Sequence, residues 1–548
     1  MRKRLLENTN ALLSKEKGAI FKDKGGKIKI CLVYPNTYYV GMSNLGFQGI
    51  YGLLNKREDV VCERAFLPDE PDIEEHIRTK TPVFSLESKT FLNRFDIIAF
   101  SISFENDYPN IAKILKLSKI PFYTYQRTDF DPLLMAGGVC CFFNPEPISQ
   151  FFDLIFIGEA EESLNEFLDL YKGKKNKDTT KKEAVQIDGV YVPEFYDIDY
   201  DREGKIIERI AKNRSPEKIK IRYLKDLALS PVTTSIITPE TRFPDMYLIE
   251  AMRGCPWKCR FCLVGHICGP LRKKDLSSIE KEIETAKGIH GDKLKIGLIG
   301  PSLTDYPHIK DVLGIEGLDF SITSLRASPK SAEVVELLEK HRSISIAPEV
   351  GTERMRRVIN KKITERDIIE TSGLILNSGL HNLRLYFIVG LPTETEDDIA
   401  GIVELARKIR RTSNKGNITL SLSTFVPKPF TPFQWHPMDN LDSIKGKLKI
   451  IKRGLMQEKS VKVLHDVPKY AYMQGLFSLG NRRVSGVIET MSENNNYIEA
   501  CSKAGIDINF YTSRHKDFDE IMPWDFIEAK ISKERLWNEY QDALKEQI

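Results

Sequence analysis

Twice along this chain, short apolar runs alternate with amphipathic helical patterns, and that alternation restricts the fold more than any other feature. In the first 170 residues the runs "KIKICLVYP", "DVVCERA", "DIIAFSIS", "PLLMAGG" and "LIFIG" are separated by helical patterns such as "SNLGFQGIYGLLNKR" and "EAEESLNEFLDLYK". A strand that is apolar along its whole length is buried on both faces, and strand-helix alternation brings strands into parallel. The pattern predicts an α/β fold that begins with a doubly wound parallel sheet over 1–170. From Tyr247 the alternation resumes, with strands near 247–254, 293–300, 319–326, 343–350, 382–390 and 417–427, the first five each followed by a helical pattern. Six repeats are too few to close an eight-stranded barrel. They predict an open (β/α)6 partial TIM barrel over 246–445, with its chemistry at the carboxyl ends of the strands. Between the two, the lysine-rich "YKGKKNKDTTKKEAVQ" and the turn-joined strands of 189–213 read as a linker and β-element over 171–245. The remainder, 446–548, mixes helical patterns with turns and reads as an α+β extension, an accessory region without a ligand motif.

Lysine plus arginine exceed aspartate plus glutamate by four, 81 against 77, too small a surplus to imply a polyanionic partner. The basic start "MRKRLLENTNALLSKEKG" lacks the apolar run of a signal peptide, and no segment approaches the roughly 18 apolar residues of a membrane span, so a cytoplasmic protein without a membrane partner is expected. Nine cysteines are present, and four of them, Cys255, Cys259, Cys262 and Cys268, crowd into fourteen positions. That is the arithmetic of a metal site and not of a disulfide framework.

Cys255, Cys259 and Cys262 follow directly on the first barrel strand, in "EAMRGCPWKCRFCLVGHICGPLRKK". A structural zinc site needs a fourth ligand, and His266 and Cys268 follow too closely for the usual pair of distant two-residue spacers. Three thiolates suit a cubane iron-sulfur cluster that leaves one iron open.

This Cys-x3-Cys-x2-Cys spacing, with Phe261 before the last cysteine and Arg-Gly before the first, resembles the signature of the radical S-adenosylmethionine (SAM) superfamily. The resemblance implies a 4Fe-4S cluster on the three cysteines, SAM chelated to the open iron, and one-electron cleavage to a 5′-deoxyadenosyl radical. It also implies SAM contacts at Phe261 beside the adenine, at Gly300 and Pro301 after the second strand, and at Arg326, suited to a carboxylate, after the third. Glu349 and the turn at Gly351 would follow the fourth strand, and Gly390 the fifth. Cys268 is a candidate catalytic thiol or a small packing residue, and Arg272 is expected to meet an anionic substrate or solvent. The isolated His290, His308 and His341 read as surface or core residues.

The order of doubly wound domain, linker and radical barrel, with "PDEP" (68–71) and "STFVPKPFTPFQW" (423–435), resembles the subgroup with an amino-terminal cobalamin-binding domain. That resemblance implies cobalamin cradled by Tyr38, Met42, Ser43, Asn44, Ser101, Ser103, Gly137, Gly138 and Gly158, and methyl transfer to an unidentified substrate. The Asp-x-His-x-x-Gly segment that supplies a lower axial histidine is absent, and "PNTYYVGMSNLG" stands in its place. Two readings stay open: cobalamin bound without a protein histidine below it, or a domain that only packs or recognises substrate. A low-potential cluster further implies an electron donor such as flavodoxin or ferredoxin.

Two rivals bear on the same residues. A radical methylthiotransferase acting on RNA would carry a second cysteine triad in its first domain, whereas Cys31 lies inside an apolar run and Cys140 and Cys141 are adjacent. The basic run "RKIRRTSNKGN" (407–417) could touch phosphates, but it ends a helical pattern, where positive charge is favoured anyway, so a nucleic-acid partner is not expected. A non-catalytic redox sensor would not need the strand-end segments.

Overall fold

A computed structural model describes residues 3–172, 176–230, 232–291, 293–322, 324–337 and 343–546. The chain forms two compact units. One comprises Met1–Leu248, Phe477–Ile508 and Asp519–Ala529, the other Ile249–Leu476, Asn509–Phe518 and Lys530–Ile548.

The first unit is built on a six-stranded sheet of β1 (Ile28–Tyr34), β2 (Val60–Phe66), β3 (Ile97–Ser101), β4 (Leu133–Gly137), β5 (Leu154–Phe156) and β6 (Val190–Tyr191). Their spatial order is β2-β1-β3-β4-β5-β6. All pairings are parallel except β5 with β6. Full burial of the last five residues of β1 and of the first six of β2 explains why these strands read as continuous apolar runs. The exceptions, Glu63 and Arg64 in β2, are paired: Arg64 meets Glu16 and Glu87, each at 2.7 Å, and Lys24 meets Glu63 at 2.8 Å. Helices α1 (Leu45–Lys56), α2 (Tyr108–Leu117) and α3 (Ala160–Tyr171) follow β1, β3 and β5. Strand order reverses between β1 and β3, the place where a doubly wound sheet opens a crevice at its carboxyl edge.

One reading of this region needs correction. The lysine-rich segment read as linker carries a helix, Lys177–Ala184, seated by its buried Thr180 and Ala184; residues 173–175 lie outside the described residues. Residues 139–143, where adjacent cysteines would alternate if β4 continued, form a short helix, and Cys140 and Cys141 are both buried. The hairpin β7 (Tyr196–Tyr200) and β8 (Ile206–Ala211) closes through the turn at Asp201, whose carboxylate accepts three backbone N–H groups.

The barrel strands are β9 (Met246–Glu250), β10 (Lys295–Ile299), β11 (Asp319–Ser321), β12 (Ser324–Leu325), β13 (Ser343–Glu349), β14 (Asn382–Val389), β15 (Asn417–Thr424) and β16 (Val461–His465). They form a three-stranded sheet, β9-β10-β11, and a five-stranded parallel sheet, β12 to β16, each in chain order. The single strand expected at 319–326 is therefore two short pieces belonging to different sheets. In β14 every second residue, Leu383, Leu385, Phe387 and Val389, is fully buried, while Arg384, Tyr386 and Ile388 are half-exposed, as on the inner face of an open barrel. Strand β16, beyond the six expected, has no buried residue, which explains its weak apolar signal.

Candidate active site

The cluster loop follows β9. Its base is closed by an antiparallel bridge that pairs Met252 with Lys273 and Arg253 with Arg272. Gly254 has φ +80°, and a Cβ there would lie 2.8 Å from the Cys268 carbonyl oxygen, so the turn before Cys255 requires glycine. Arg272 is buried, donating from Nε to the Pro270 carbonyl at 3.0 Å and from Nη2 to that of Cys268 at 3.3 Å. It holds the loop from within, a correction to its expected role toward substrate or solvent. The loop is also tied to the segment after β13: Arg260 donates to the carbonyls of Arg357 and Val358, both at 3.0 Å, and Asn360 to that of Lys258 at 2.9 Å.

Within this frame Cys259 is buried, and Cys255 and Cys262 are partly exposed. Burial pushes the Cys259 thiol up to about 11, against the pull of Lys361 and Arg326. Burial also raises Cys255, opposed by the Trp257 N–H and Arg326, and Cys262, opposed by the N–H groups of Gly265 and Val264. N–H groups and two cations facing three thiols are what a thiolate-ligated anionic cluster requires. No three His, Cys, Asp or Glu side chains gather as ligands of a single metal ion among the described residues. The His266 Nε2 donates to the Cys259 carbonyl oxygen at 3.1 Å, and its Nδ1 is buried without a hydrogen-bond partner. The mutual influence of the three thiols, with N–H groups and two cations beside them, is the donor chemistry that a cluster held by three cysteines would use.

Two side-chain groups flank the thiols. Arg326, after β12, stacks on Trp257 with its guanidinium carbon 3.6 Å from the ring centroid, and donates to the Lys362 carbonyl at 2.6 Å. Trp257 Nε1 donates to Asp305 at 2.6 Å, and Ser302 donates to the same carboxylate oxygen at 2.7 Å. Glu349 ends β13 at φ +67°, beyond a register shift against β14, and Lys361 meets its carboxylate at 3.0 Å. Bulge and left-handed backbone together turn this acid out of the strand's alternation. The structure thus brings Arg326 and Glu349 to the cysteines and adds Trp257, Asp305 and Lys361, which sequence reasoning missed. Trp257 stands inside the quoted cysteine segment, but nothing in the spacing marks it, and Asp305 and Lys361 carry no signal.

Phe261 is half-exposed, Pro301 is exposed and Cys268 is half-exposed. The three glycines expected at SAM are each occupied by their own chain. A Cβ on Gly300 would meet Met252 at 2.5 Å, on Gly351 the backbone nitrogen of Ile402 at 2.2 Å, and on Gly390, at φ +86°, Ile444 at 2.6 Å. Close packing accounts for all three. His308 lies 3.4 Å from Asp311 on the surface, and His341 falls outside the described residues. The basic run is likewise engaged. Arg410 donates to the carbonyls of Ser413, Lys415 and Gly416, and Arg407 contacts Glu404 and Glu458.

In the first unit, the cobalamin residues divide. Tyr38 is buried and donates to Glu16 at 2.6 Å, and Met42 lies beneath Arg64. The Ser43 hydroxyl donates to the Tyr39 carbonyl and accepts from the Arg242 N–H. A Cβ on Gly138 would lie 2.5 Å from the Ile102 carbonyl oxygen, and on Gly158 2.4 Å from that of Arg222. These five are consumed by the chain's own packing, a correction to the expected cradle. Ser101 and Gly137 stand half-buried at the carboxyl ends of β3 and β4, and Asn44 donates to Ser103 at 3.1 Å. Beside them Asn36 donates to Asp107 at 2.7 Å, and burial raises that acid to about 7. The β1/β3 crevice is thus lined by polar side chains rather than by open glycine backbone.

Comparison with known proteins identifies the class. Residues 46–193 match the family model described as radical SAM proteins, N-terminal, and residues 249–406 that of the radical SAM superfamily, together more than half of the chain. The chain belongs to the radical SAM superfamily. It is 29% identical over 493 residues to uncharacterized protein MJ0966 of Methanocaldococcus jannaschii, covering 89% of this chain and 96% of that one. It is 24% identical to the ribosomal protein uS12 methylthiotransferase RimO of Thermodesulfovibrio yellowstonii, over 54% of this chain and 68% of that protein. The fold matches the structure of the radical SAM methyltransferase TsrM from Kitasatospora setae at TM-score 0.52 and 12% identity, over 87% of this chain and 99% of the other. Among the described residues no helix is long and apolar enough to cross a membrane.

Proposed function

We propose that the second unit cleaves SAM reductively at a 4Fe-4S cluster held by Cys255, Cys259 and Cys262, and that the radical so formed acts on an unidentified substrate. The observation that carries this reading is the set of three thiols faced by N–H groups, Arg326 and Lys361. When bound, cluster and SAM supply one-electron cleavage of the sulfonium bond. Arg326, its plane fixed by Trp257, presents a fork suited to the SAM carboxylate. Glu349, neutralised on one side by Lys361, is the acceptor for an ammonium or hydroxyl. Phe261 is exposed enough to lie along an adenine. Cys268, half-exposed on the same loop, is the candidate catalytic thiol. Flavodoxin or ferredoxin is the expected electron source.

Within this reading the first unit binds cobalamin at the β1/β3 crevice, through Asn44, Ser101, Ser103 and Gly137, and the reaction is a methyl transfer in the cytoplasm. The strand order and the fold shared with TsrM, whose structure holds cobalamin and a [4Fe-4S] cluster, support it. The second reading, a methylthiotransferase, is favoured by the likeness to RimO. Against it, Cys31, Cys62, Cys140 and Cys141 are buried on three separate elements of the first unit. Anaerobic purification with cluster reconstitution tests both. Formation of 5′-deoxyadenosine together with a cobalamin spectrum supports the methyltransferase, deoxyadenosine without cobalamin removes it, and neither would return the redox-sensor alternative.

A further inference from the structure

Register carries the side-chain alternation of the five-stranded sheet from one strand to the next. Arg384 on β14 lies beside Ser345 on β13 and Thr419 on β15, and Thr419 lies beside Lys462 on β16. Neighbours in register on parallel strands point to the same side, so these four residues form one row across the sheet. The face they share is the inner one. Residues of the opposite parity, Ile344, Leu383, Leu385, Ile418 and Leu420, are fully buried, whereas Arg384 is half-exposed and Lys462 exposed. Two side-chain contacts agree. Thr419 donates to Asn382 at 3.0 Å on the inner face, and His465 of β16 meets Lys452 of the helix Leu441–Leu455 at 2.6 Å on the outer one.

The interior of a closed barrel is filled by layers of bulky apolar side chains. This row is polar throughout and carries two cations. Among the described residues neither Arg384 nor Lys462 has a side-chain hydrogen bond or ion pair, and Glu349, the carboxylate that ends on this face, is already matched by Lys361 at 3.0 Å. The two cations stand two strands apart, about 10 Å between backbones, a gap that a guanidinium and an ammonium on long side chains can close around one anion. Two residues further along β14, Tyr386 lies beside Ser421 and is half-exposed, its hydroxyl likewise without a partner among the described residues. Glu349, close enough to act on the Cys259 and Cys262 thiols, is in register with Phe387, three residues or about 10 Å beyond Arg384 along the strand.

We propose that Arg384 and Lys462, with the Tyr386 hydroxyl beside them, hold a phosphate or carboxylate group of the substrate inside the barrel. The guanidinium supplies a planar fork and the ammonium a point charge, the pair of donors that such groups take. Two uncompensated cations disfavour a cationic or purely apolar substrate. The spacing from Glu349 selects an elongated anion, one whose charged end lies about 10 Å deeper in the barrel than the cluster end. That the anion belongs to the substrate rests on the radical reading above, whereas the anion site itself does not.

Isothermal titration calorimetry on the full, cluster-reconstituted protein, kept anaerobic and without reductant, tests the site. The probes are inorganic phosphate, glutarate and, as a cation, putrescine. At least one anion binds saturably and putrescine does not; which of the two anions binds more tightly tells phosphate from carboxylate. Arg384→Met and Lys462→Met each weaken that binding by about tenfold or more, the loss expected when a charge-assisted hydrogen bond goes, and Arg384→Lys recovers part of it. Lys449→Met, which removes an exposed cation from the helix Leu441–Leu455, leaves it unchanged. Because neither inner cation has a partner within the chain, the variants melt close to wild type. No saturable anion binding overturns the proposal, as does equal binding of putrescine or unchanged affinity in both folded methionine variants. Wild-type protein that binds the anion but forms no 5′-deoxyadenosine after reduction sinks the radical reading and sustains the anion site, and deoxyadenosine without anion binding does the reverse.

Discussion

Replacing Arg326 by methionine separates SAM recognition from cluster assembly. The guanidinium makes two contacts that the substitution removes: a stack on Trp257 at 3.6 Å, worth about 0.5–2 kcal/mol, and a hydrogen bond to the Lys362 carbonyl at 2.6 Å, worth about 1 kcal/mol. Arg326 is only half-buried, so solvent screening brings the stability cost to the low end, about 1 kcal/mol. If its fork pairs with the SAM carboxylate, the loss of a charge-assisted bond costs a further 1.5–3 kcal/mol of binding, about 10- to 100-fold in Kd. No cluster ligand is altered, so iron and sulfide content stays at the wild-type level. The assay is equilibrium binding of SAM to anaerobically reconstituted protein, with iron, sulfide and the electron paramagnetic resonance signal measured on the same samples. Arg326→Lys gives an intermediate Kd, because it keeps the charge and loses the plane. Trp257→Phe keeps an aromatic face but drops the 2.6 Å bond to Asp305, and weakens SAM binding less than Arg326→Met does. SAM affinity within about twofold of wild type in Arg326→Met, at full cluster content, would refute the assignment of Arg326 to SAM.

Three further outcomes follow from the first unit. Asp107 is raised in the folded state from 3.8 to about 7 because burial disfavours its charge, so the native state holds a proton that the unfolded chain has released. Its contribution is complete below about pH 4 and is lost as pH rises toward 7; urea titrations across that window show Asp107→Asn less pH-dependent than wild type, by at most about 4 kcal/mol. Glu146, fully buried, accepts from Tyr191 at 2.5 Å and pairs with Arg482 at 3.1 Å and Arg209 at 3.4 Å. Glu146→Leu leaves two buried guanidiniums uncompensated and lowers stability by about 3–5 kcal/mol in chemical denaturation. Gly158→Ala forces a Cβ to within 2.4–2.5 Å of the Arg222 backbone at φ +115° and destabilises by about 3 kcal/mol or more, with the melting temperature as readout.

What the sequence made legible was periodicity and crowding. The five parallel strands of the first sheet announced themselves because burial on both faces leaves few polar residues to interrupt them, Glu63 and Arg64 of β2 being the paired exceptions, and the cysteines because three thiols in eight positions have few other uses. Strand β16 escaped notice because it is five residues long, is interrupted by Lys462 and is buried nowhere. The helix at 177–184 escaped because it is polar along most of its length and is held by a few buried small side chains. At the site, residues next to one another in space but distant in sequence were the ones missed: Asp305 meets Trp257 across 48 positions, and Lys361 meets Glu349 across a turn and a helix.

Glycine shows most clearly where such reading stops. At a strand's carboxyl end it marks a place where something approaches the backbone too closely for a Cβ, and the sequence gives no means of telling a cofactor from the chain itself. At Gly138 and Gly158 the approaching atoms are the backbone of Ile102 and Arg222, and at Gly351 they are the backbone of Asp398, Gly401 and Ile402. At Gly137, by contrast, a Cβ would meet only the Phe156 Cβ at 3.9 Å, an ordinary contact, so the backbone there stays open to a ligand. A ligand contact at a glycine is credible in this chain only where a side chain added there would not collide with the chain itself.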